Sequence, residues 1–368
     1  RNFMTSTSNQ KIYIIAEIGV NHNGSMIKAK KMIKMCKQSG ADAVKFQTYK
    51  AKNIADQFVS KANYQKKDNK SESQYEMLKK YELTDKDFLE LHKYASKLNI
   101  DFISTAADKT SLQFLNYKLK LKTIKIGSSD LTNIQLLINA GRTKRNIIIS
   151  CGLATIENID IALSALCYGY AKKDFHFNYK KNKEFYLQHE EYLRKKITLL
   201  HCTTEYPAPL EELNLNIINT LSKKYVTSIG YSDHSNNLIT PIIAAAKNIS
   251  IIEVHVTLNK SLKGPDHKSS LTFKEFSQYI ANIRKTEIML GSFEKRITPS
   301  EKNNIPSIRK NLVYKNNMTK GQKILETNLT TKRTKTGIPA IEFSNVINKT
   351  LQKSIKKNEA VKIKDFVK

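Results

Sequence analysis

The chain has 368 residues, of which 40% are hydrophobic, enough to form one large globular domain and a smaller second one. No apolar run reaches the roughly 18 residues of a membrane span, and the opening stretch RNFMTSTSNQ lacks the apolar core of a signal peptide. Four widely spaced cysteines without a CxxC pair indicate reduced thiols. We therefore expect a cytoplasmic protein with no membrane partner.

The formal net charge of +29 raises nucleic-acid binding as an alternative function. Nucleic-acid-binding proteins concentrate Lys and Arg on one face, often with aromatic residues between them. Here the lysines occur in every segment, alongside many Asn and Ile, so we predict no nucleic-acid partner. The charge still favours anionic substrates, which it attracts over long range.

A unit made of a β-branched run, a polar turn and a helical stretch repeats from residue 11 onwards. Eight runs are typical of strands: Ile12–Ile18, Ala43–Thr48, Asp101–Thr105, Thr123–Gly127, Asn146–Ser150, Ile197–Cys202, Val226–Ile229 and Ile251–Val256. Amphipathic segments such as Met26–Ser39 and Asp85–Leu98 lie between them. Eight such units predict a closed (β/α)8 TIM barrel over residues 1–291. An open doubly wound sheet would need a GxGxxG turn after the first strand, and GVNHNG is not one.

Three segments depart from the repeat. Residues 169–196 are charged and aromatic-rich, and we expect an extra helix or hairpin on the N-terminal face of the barrel, with His176 and His189 on its solvated surface. Residues 292–304 indicate a polar linker. Residues 305–368 predict a second domain of short strands and turns, whose small core favours packing on the barrel or on a partner chain.

Two histidines follow neighbouring strands of the predicted barrel. His234 lies just past the seventh strand and His255 at the end of the eighth. Ends of adjacent parallel strands lie about 4.8 Å apart. Two imidazoles there could therefore converge on one divalent metal such as zinc or manganese, beside Asp233 and Asp266. Packed, hydrogen-bonded histidines without a metal are the alternative.

Barrel enzymes place their chemistry at the C-terminal ends of the strands. Those ends carry many further polar residues here: Glu17, Lys45, Gln47, Ser104, Thr105, Lys125, Ser128, Asp130, Ser150, Thr204, Glu205, Tyr206 and Ser232. Because buried charges are costly unless paired, Lys45 and Lys125 indicate a pocket for a small substrate with a phosphate and a carboxylate. We expect Glu17 to act as a general acid or base near a metal-polarised carbonyl. A lysine-dependent aldolase, with a Schiff base on either lysine, is the alternative enzyme.

Six motifs are similar to those of the sialic acid synthase family: AEIGVNHNG (16–24), VKFQTYKA (44–51), KIGSSDLTN (125–133), LLHCTTEYPAP (199–209), GYSDH (230–234) and GPDHK (264–268). The resemblance spans nearly the whole chain, including a tail that resembles the family's antifreeze-like (SAF) domain. It implies condensation of phosphoenolpyruvate with the open-chain aldehyde of an N-acetylated hexosamine, with release of phosphate. The second and fourth motifs look closer to the N,N'-diacetyllegionaminate branch than to the N-acetylneuraminate branch. Both acceptors, 2,4-diacetamido-2,4,6-trideoxymannose and N-acetylmannosamine, stay open.

The resemblance also implies roles for individual residues. It gives a divalent metal, manganese in preference to magnesium or cobalt, to His234 and His255. It gives phosphoenolpyruvate contacts to Lys45, Thr105, Lys125, Ser128, Ser150, Thr204 and Ser232. It gives amino-sugar contacts to Gln47, Asn69, Asp130, Tyr206, Asp266 and Arg333. Glu17, the two lysines and the two histidines would form the catalytic group.

The tail motif KRTKTGIPA (332–340) resembles a KRPGxGI stretch whose arginine reaches into the active site of the other subunit. The resemblance therefore implies a domain-swapped homodimer in which Arg333 acts across the interface. A solvated arginine, or a tail that binds another protein, is the alternative. Several strand ends depart from the family pattern, among them STAA (104–107) in place of STPF, but no charged anchor is lost.

Overall fold

The computed structural model of the protein describes residues 11–62, 65, 72–172, 174 and 176–366. The chain divides into two compact units, Arg1–Gly291 and Ser292–Lys368. No helix within the described residues is long and apolar enough to cross a membrane. All four cysteines fall within these ranges, and each is buried and free.

In the described part of the first unit, eight parallel strands close into a barrel, because each pairs with the next and β8 also pairs with β1. The strands are β1 (Tyr13–Gly19), β2 (Ala43–Thr48), β3 (Asp101–Ala106), β4 (Thr123–Ile126), β5 (Asn146–Ser150), β6 (Ile197–His201), β7 (Ser228–Asp233) and β8 (Ile251–Thr257). The short strand β9 (Leu271–Thr272) pairs with the end of β8. The predicted TIM barrel is thereby confirmed.

The helices of the first unit surround the strands. They are α1 (Met26–Ser39), α2 (Ala51–Ile54), α3 (Gln74–Tyr81), α4 (Asp85–Lys97), α5 (Lys109–Gln113), α6 (Ile134–Arg142), α7 (Ile156–Ala171), α8 (Tyr179–Asn182), α9 (Glu190–Lys196), α10 (Ile217–Lys224), α11 (Thr240–Ala246) and α12 (Phe273–Leu290). The longer ones begin at side-chain caps: Ser25, Thr84, Thr155 and Thr272 accept hydrogen bonds from backbone N–H groups of α1, α4, α7 and α12. Such caps satisfy N–H groups that have no partner within the helix.

The inward face of the barrel changes from apolar to polar along the strands. An apolar cluster fills the interior: Ile15, Ala43, Ile103, Ile148 and Leu200. Side chains alternate between the two faces of a strand, so the residues two positions further on face the same interior. They are Glu17, Lys45, Thr105, Ser150 and Cys202. The carboxyl end of the barrel therefore carries the polar layer.

Strand β7 differs from its predicted bounds, Val226–Ile229. It begins at Ser228, continues through Gly230, Tyr231 and Ser232, and ends at Asp233. It pairs with β6 and β8. The glycine and polar residues resemble a loop in the sequence, but at this end of the barrel polar residues face the interior of the site. His234 consequently follows the last strand residue directly.

The segment before β6 folds as α8, a 3-10 turn and α9. His176 is exposed, as expected. His189, expected on the solvated surface, is instead half-buried, with its ring 4.4 Å from that of Phe185. The aromatic residues of this segment thus shield one of its two histidines.

The second unit has a helix α13 (Pro299–Ile308), strands β10 (Asn311–Tyr314) and β11 (Leu329–Lys332), and a short helix α14 (Phe343–Val346). The two strands are antiparallel, and the buried apolar cluster includes Tyr314, Ile324 and Val361. Helix α13 corrects the expected linker at 292–304. Thr298 and Glu301 form a capping box around Pro299 at the first helical position, a combination that starts a helix rather than a linker.

Candidate active site

A buried glutamate joins the two predicted substrate lysines at the centre of the polar layer. Glu253 of β8 accepts hydrogen bonds from Lys125 Nζ at 2.9 and 3.2 Å, and its Oε2 lies 3.6 Å from Lys45 Nζ. Lys45 Nζ also lies 2.8 Å from Glu17 Oε2. All four side chains are buried. Two ammonium groups are therefore held side by side in the interior, each paired with a carboxylate.

The pKa values of these groups follow from burial and pairing. Burial raises the pKa of Glu253, but Lys125 and Lys45 outweigh it and hold the pKa well below its usual range. Burial lowers the pKa of Lys45, but the Glu17 and Glu253 carboxylates raise it above its ordinary value. For Lys125 burial prevails and the pKa is lowered. Lys45 is thus fixed as a cation, and Lys125 gains most from a further anion nearby.

Glu17 lies next to two residues expected to bind the sugar. Gln47 Nε2 donates to Glu17 Oε1 at 3.1 Å. Burial raises the pKa of Glu17 in spite of Lys45, and burial together with Glu17 raises the pKa of Asp266 to about 7. Asp266 is therefore suited to hold or release a proton near neutral pH, and the raised pKa of Glu17 favours its protonated form more than that of an exposed glutamate.

His234 and His255 converge as expected, with ring centroids 5.6 Å apart. Nδ1 of His234 lies 2.7 Å from the Thr203 carbonyl oxygen, which can only accept, so the ring proton is on Nδ1. Nδ1 of His255 is buried without a hydrogen-bond partner. Burial lowers the pKa of His234 to about 4 and that of His255 well below its ordinary value. Both imidazoles are therefore neutral at pH 7, the form that binds metal ions.

This pair fits a divalent cation. A metal-binding histidine usually donates its other ring N–H to a carbonyl or carboxylate that fixes its tautomer, and His234 donates in this way to the Thr203 carbonyl. The described part of the chain contains no cluster of three or more His, Cys, Asp or Glu side chains that could hold a metal. His234 and His255 would thus be the protein ligands, and oxygen atoms of water or substrate would complete the coordination. Asp266 Oδ2 lies 3.9 Å from Nδ1 of His255, too far for a hydrogen bond between the two side chains.

Three further hydroxyl groups lie at or just after the ends of β4, β5 and β6. Ser128 Oγ accepts from the Gly152 N–H at 3.1 Å and lies 3.2 Å from Cys202 Sγ. The hydroxyls of Ser150 and Thr204 are buried without a partner. Unpaired buried hydroxyls are uncommon in folded proteins and point to a ligand that satisfies them. Beside two ammonium groups, that ligand is an anion.

Gly152 leaves no room for a side chain in this wall. A Cβ there would lie 2.1 Å from Thr204 Oγ1 and 2.9 Å from Ser128 Oγ. We expect Gly152→Ala to displace both hydroxyls and raise the KM for phosphoenolpyruvate by about tenfold or more, the equivalent of one or two lost hydrogen bonds. Gly127→Ala is the matched control, because its Cβ would lie at least 3.6 Å from any neighbour. Equal KM values for the two variants would contradict this prediction.

The other expected sugar contacts are placed as follows. The Tyr206 ring lies against both histidines, 4.2 Å from His234 and 5.5 Å from His255 between centroids. Asp130 is half-buried in the turn after β4 and accepts from Asn133 Nδ2 at 3.0 Å. Asn69 lies outside the described residues. Arg333 is exposed in the second unit, immediately after β11.

Two residues expected near the site face away from it. Asp233 accepts hydrogen bonds from Ser235 and from the Tyr279 hydroxyl of α12, so it ties β7 to the helix layer. Ser104 lies 2.7 Å from Thr48 Oγ1 on the outer side of the barrel. Both expectations are wrong for the same reason, because each residue alternates with an inward neighbour on its strand.

Glu253 is the residue that sequence reasoning missed. It stands two positions before His255 on one strand, so both face the interior. A charged residue two positions from the candidate ligand His255, within the apolar run of β8, indicates a residue of the site. Its partners Lys45 and Lys125 lie on distant strands, and only the closed barrel brings them together.

Comparison with known proteins decides the family. The profile of the NeuB family matches residues 32–295, and that of the SAF domain matches residues 309–367. The chain belongs to the NeuB family. The predicted resemblance to sialic acid synthases, including the SAF tail, is thereby confirmed.

Individual members of the NeuB family match over most of their length. The chain is 40% identical to the N,N'-diacetyllegionaminic acid synthase of Campylobacter jejuni, over 96% of this chain and 99% of that protein. It is 35% identical to the enzyme of the same name from Legionella pneumophila, over 95% and 92%. A solved N-acetylneuraminic acid synthetase from Leptospira borgpetersenii superposes with a TM-score of 0.65 at 31% identity, over 81% of this chain and 91% of that one.

Proposed function

We propose that this protein condenses phosphoenolpyruvate with the open-chain form of 2,4-diacetamido-2,4,6-trideoxymannose to give N,N'-diacetyllegionaminate and phosphate. The observation that carries the proposal is the buried pair Lys45–Lys125, bridged by Glu253, beside unpaired hydroxyls and a histidine pair. The acceptor is chosen because two NeuB-family relatives, at 40% and 35% identity, are named for that product.

The reaction balances with one water. C3 of phosphoenolpyruvate forms a bond to the aldehyde carbon, which becomes a hydroxyl-bearing carbon. Water adds to C2, and the bond between C2 and the bridging oxygen breaks, so phosphate leaves with that oxygen and C2 becomes a ketone. A manganese ion, or another divalent ion at His234 and His255, would supply Lewis-acid polarisation of the aldehyde.

The protein groups then have distinct tasks in this proposal. Lys45 and Lys125 neutralise the phosphate and carboxylate, and the hydroxyls of Ser150 and Thr204 supply directed hydrogen bonds. Glu17, whose pKa is raised, exchanges a proton with the new hydroxyl or the attacking water. The Thr105 hydroxyl accepts from Lys45 Nζ at 3.1 Å and so orients that ammonium.

The Schiff-base aldolase is less well supported. A nucleophilic lysine must be neutral. Lys45 is paired with two carboxylates that raise its pKa, and Lys125 donates to both oxygens of Glu253. The lowered pKa of Lys125 favours the aldolase. Borohydride with pyruvate should leave both lysines unmodified, and an adduct on either one would support the aldolase.

Phosphate release with two acceptors tests the proposed substrate. The protein should release phosphate from phosphoenolpyruvate faster with 2,4-diacetamido-2,4,6-trideoxymannose than with N-acetylmannosamine, in the presence of Mn²⁺. Preference for N-acetylmannosamine would make the protein an N-acetylneuraminate synthase. Release with neither acceptor would contradict the proposed reaction.

The proposal includes a domain-swapped homodimer in a reducing cytoplasm. The second unit has a small core of its own, and its exposed Arg333 offers the planar donor group that suits an acetamido carbonyl. Free, buried cysteines agree with a reducing compartment. The dimer makes a prediction that can be tested by complementation.

We expect Arg333→Ala to raise the KM for the amino-sugar and to leave phosphoenolpyruvate binding unchanged. Mixing Arg333→Ala with His234→Ala should restore part of the activity, because a heterodimer has one site with both an intact histidine pair and an intact arginine. Subunit exchange is verified with differently tagged chains. If exchange occurs and no activity returns, Arg333 does not act across the interface.

A further inference from the structure

Nε2 of His234 has two possible partners, a divalent cation and the neighbouring Ser232 hydroxyl. We propose that Glu253 keeps this atom available for the cation by holding the Ser232 proton. Glu253 is then a positioning residue that connects the lysine pair to the histidine pair. The inference rests on the metal site of the proposed function.

The hydrogen positions around His234 follow from its neighbours. Its Nδ1 proton is donated to the Thr203 carbonyl at 2.7 Å. The neutral ring has one proton, so Nε2 carries a lone pair. Ser232 Oγ lies 3.2 Å from this nitrogen. A Ser232 proton directed at Nε2 would occupy the position that a metal ion needs.

Ser232 has one proton and two acceptors within reach. Glu253 Oε1 lies 2.9 Å from its oxygen, closer than Nε2 of His234. A carboxylate can only accept, so the 2.9 Å contact would be repulsive unless Ser232 donates to Glu253. Hydrogen bonds to a charged acceptor are also the stronger ones. The proton therefore points to Glu253, and the Nε2 lone pair faces no donor from Ser232.

The two lysines maintain this arrangement. Lys125 donates to both Glu253 oxygens, and Lys45 lies 3.6 Å from Oε2. They hold the carboxylate ionised and fixed in place, with Ser232, Glu253 and both lysines all at most 4% exposed. The groups that would bind phosphoenolpyruvate thus set, through one carboxylate and one hydroxyl, the state of a metal ligand.

Glu253→Gln should turn the Ser232 hydroxyl proton away from residue 253 and towards Nε2 of His234. Lys125 Nζ contacts both positions, at 2.9 Å from Oε1 and 3.2 Å from Oε2, whereas Lys45 Nζ lies 3.6 Å from Oε2. Only an amide oxygen at Oε2 can accept from both ammonium groups, so we expect it there, with Lys125 turned from Oε1 towards it. The amide nitrogen then replaces Oε1 and donates to Ser232 Oγ. Ser232 in turn donates to His234 Nε2 and competes with the metal. Loss of a residue that holds a metal ligand in its binding state commonly weakens metal binding by about 10- to 100-fold.

The experiment measures the Kd of Mn²⁺ by calorimetry, without substrates, for wild type, Glu253→Gln, Ser232→Ala and the double variant. We expect Glu253→Gln to weaken binding by about tenfold or more. Ser232→Ala should bind within about twofold of wild type, because in wild type the Ser232 proton is held by Glu253 and does not compete with the metal. The double variant should recover much of the affinity lost in Glu253→Gln. Glu90→Gln, a change at an exposed ion pair with Lys30, is the control.

The outcomes separate this inference from the proposed function. A wild-type protein that binds no Mn²⁺ would contradict the metal site itself. Equal binding by wild type and Glu253→Gln would contradict only the role of Glu253. A double variant as weak as Glu253→Gln would mean that the lost charge, and not the Ser232 proton, weakens binding, which also overturns the inference.

A measurement on the unchanged protein covers the case in which Glu253→Gln does not fold. In metal-free wild type with ¹⁵N-labelled histidine, the His234 signals should show a proton on Nδ1 and an Nε2 that accepts no hydrogen bond. Ser232→Ala should leave the Nε2 shift unchanged. A shift in Nε2 on removal of the hydroxyl would show that Ser232 donates to it, contrary to the proposal.

Discussion

His234→Ala is expected to abolish catalysis together with its dependence on a divalent ion. Lewis-acid activation contributes several kcal/mol, so loss of about 4 kcal/mol would lower kcat/KM by about a thousandfold. One remaining imidazole, His255, leaves too few protein ligands to hold an ion against water. The measurement is kcat/KM across a Mn²⁺ titration after chelator treatment, with circular dichroism to verify the fold.

His201→Gln is the matched control for this variant. His201 is also buried with a lowered pKa, but its Nε2 contacts the Leu213 carbonyl at 2.8 Å, away from the histidine pair. It should keep the Mn²⁺ dependence of wild type. Full turnover by His234→Ala in the presence of chelator would contradict the metal assignment.

Lys125→Met should affect both substrate binding and stability. It removes a charge-assisted contact worth about 1.5–3 kcal/mol, so the KM for phosphoenolpyruvate should rise about 10- to 150-fold. It also leaves Glu253 with Lys45 as its remaining ammonium partner at 3.6 Å. Breaking a buried ion pair costs about 3–5 kcal/mol. Because Lys45 remains near Glu253, the free energy of unfolding measured in urea should decrease by an amount near the lower end of that range.

A second buried lysine separates these two effects. Lys61 is 4% exposed and lies 2.9 Å from Glu72, outside the barrel centre. Lys61→Met should therefore destabilise the protein without raising the KM for phosphoenolpyruvate. If Lys125→Met changed only the KM for the sugar, the lysine would have been assigned to the wrong substrate.

The barrel could be predicted because its strands repeat a local pattern. Ala43–Thr48 and Asn146–Ser150 are found with the predicted bounds, since each is a compact apolar run between polar turns. Strand β7 could not be bounded in this way, because its second half is polar and faces the site. The helix that begins at Pro299 departs from the predicted polar linker at 292–304, because proline is favoured at a first helical position.

The candidate site could also be predicted only in part from the sequence. The residue types at the strand ends indicated an anion pocket and a histidine pair, and both groups converge in the structure. Asp233 was placed wrongly because the parity of inward and outward residues depends on where β7 ends. Glu253 was missed because its role depends on contacts with Lys45 of β2 and Lys125 of β4, which the spacing of residues in the sequence does not encode.

The fate of the bridging oxygen tests the central claim most directly. Phosphoenolpyruvate labelled with ¹⁸O between C2 and phosphorus is incubated with enzyme, Mn²⁺ and 2,4-diacetamido-2,4,6-trideoxymannose, and the phosphate is analysed by mass spectrometry. Condensation with cleavage of the bond between C2 and oxygen predicts that the label is retained in phosphate. Unlabelled phosphate would mean that the bond to phosphorus breaks and pyruvate is formed first, which contradicts the proposed reaction and favours the aldolase.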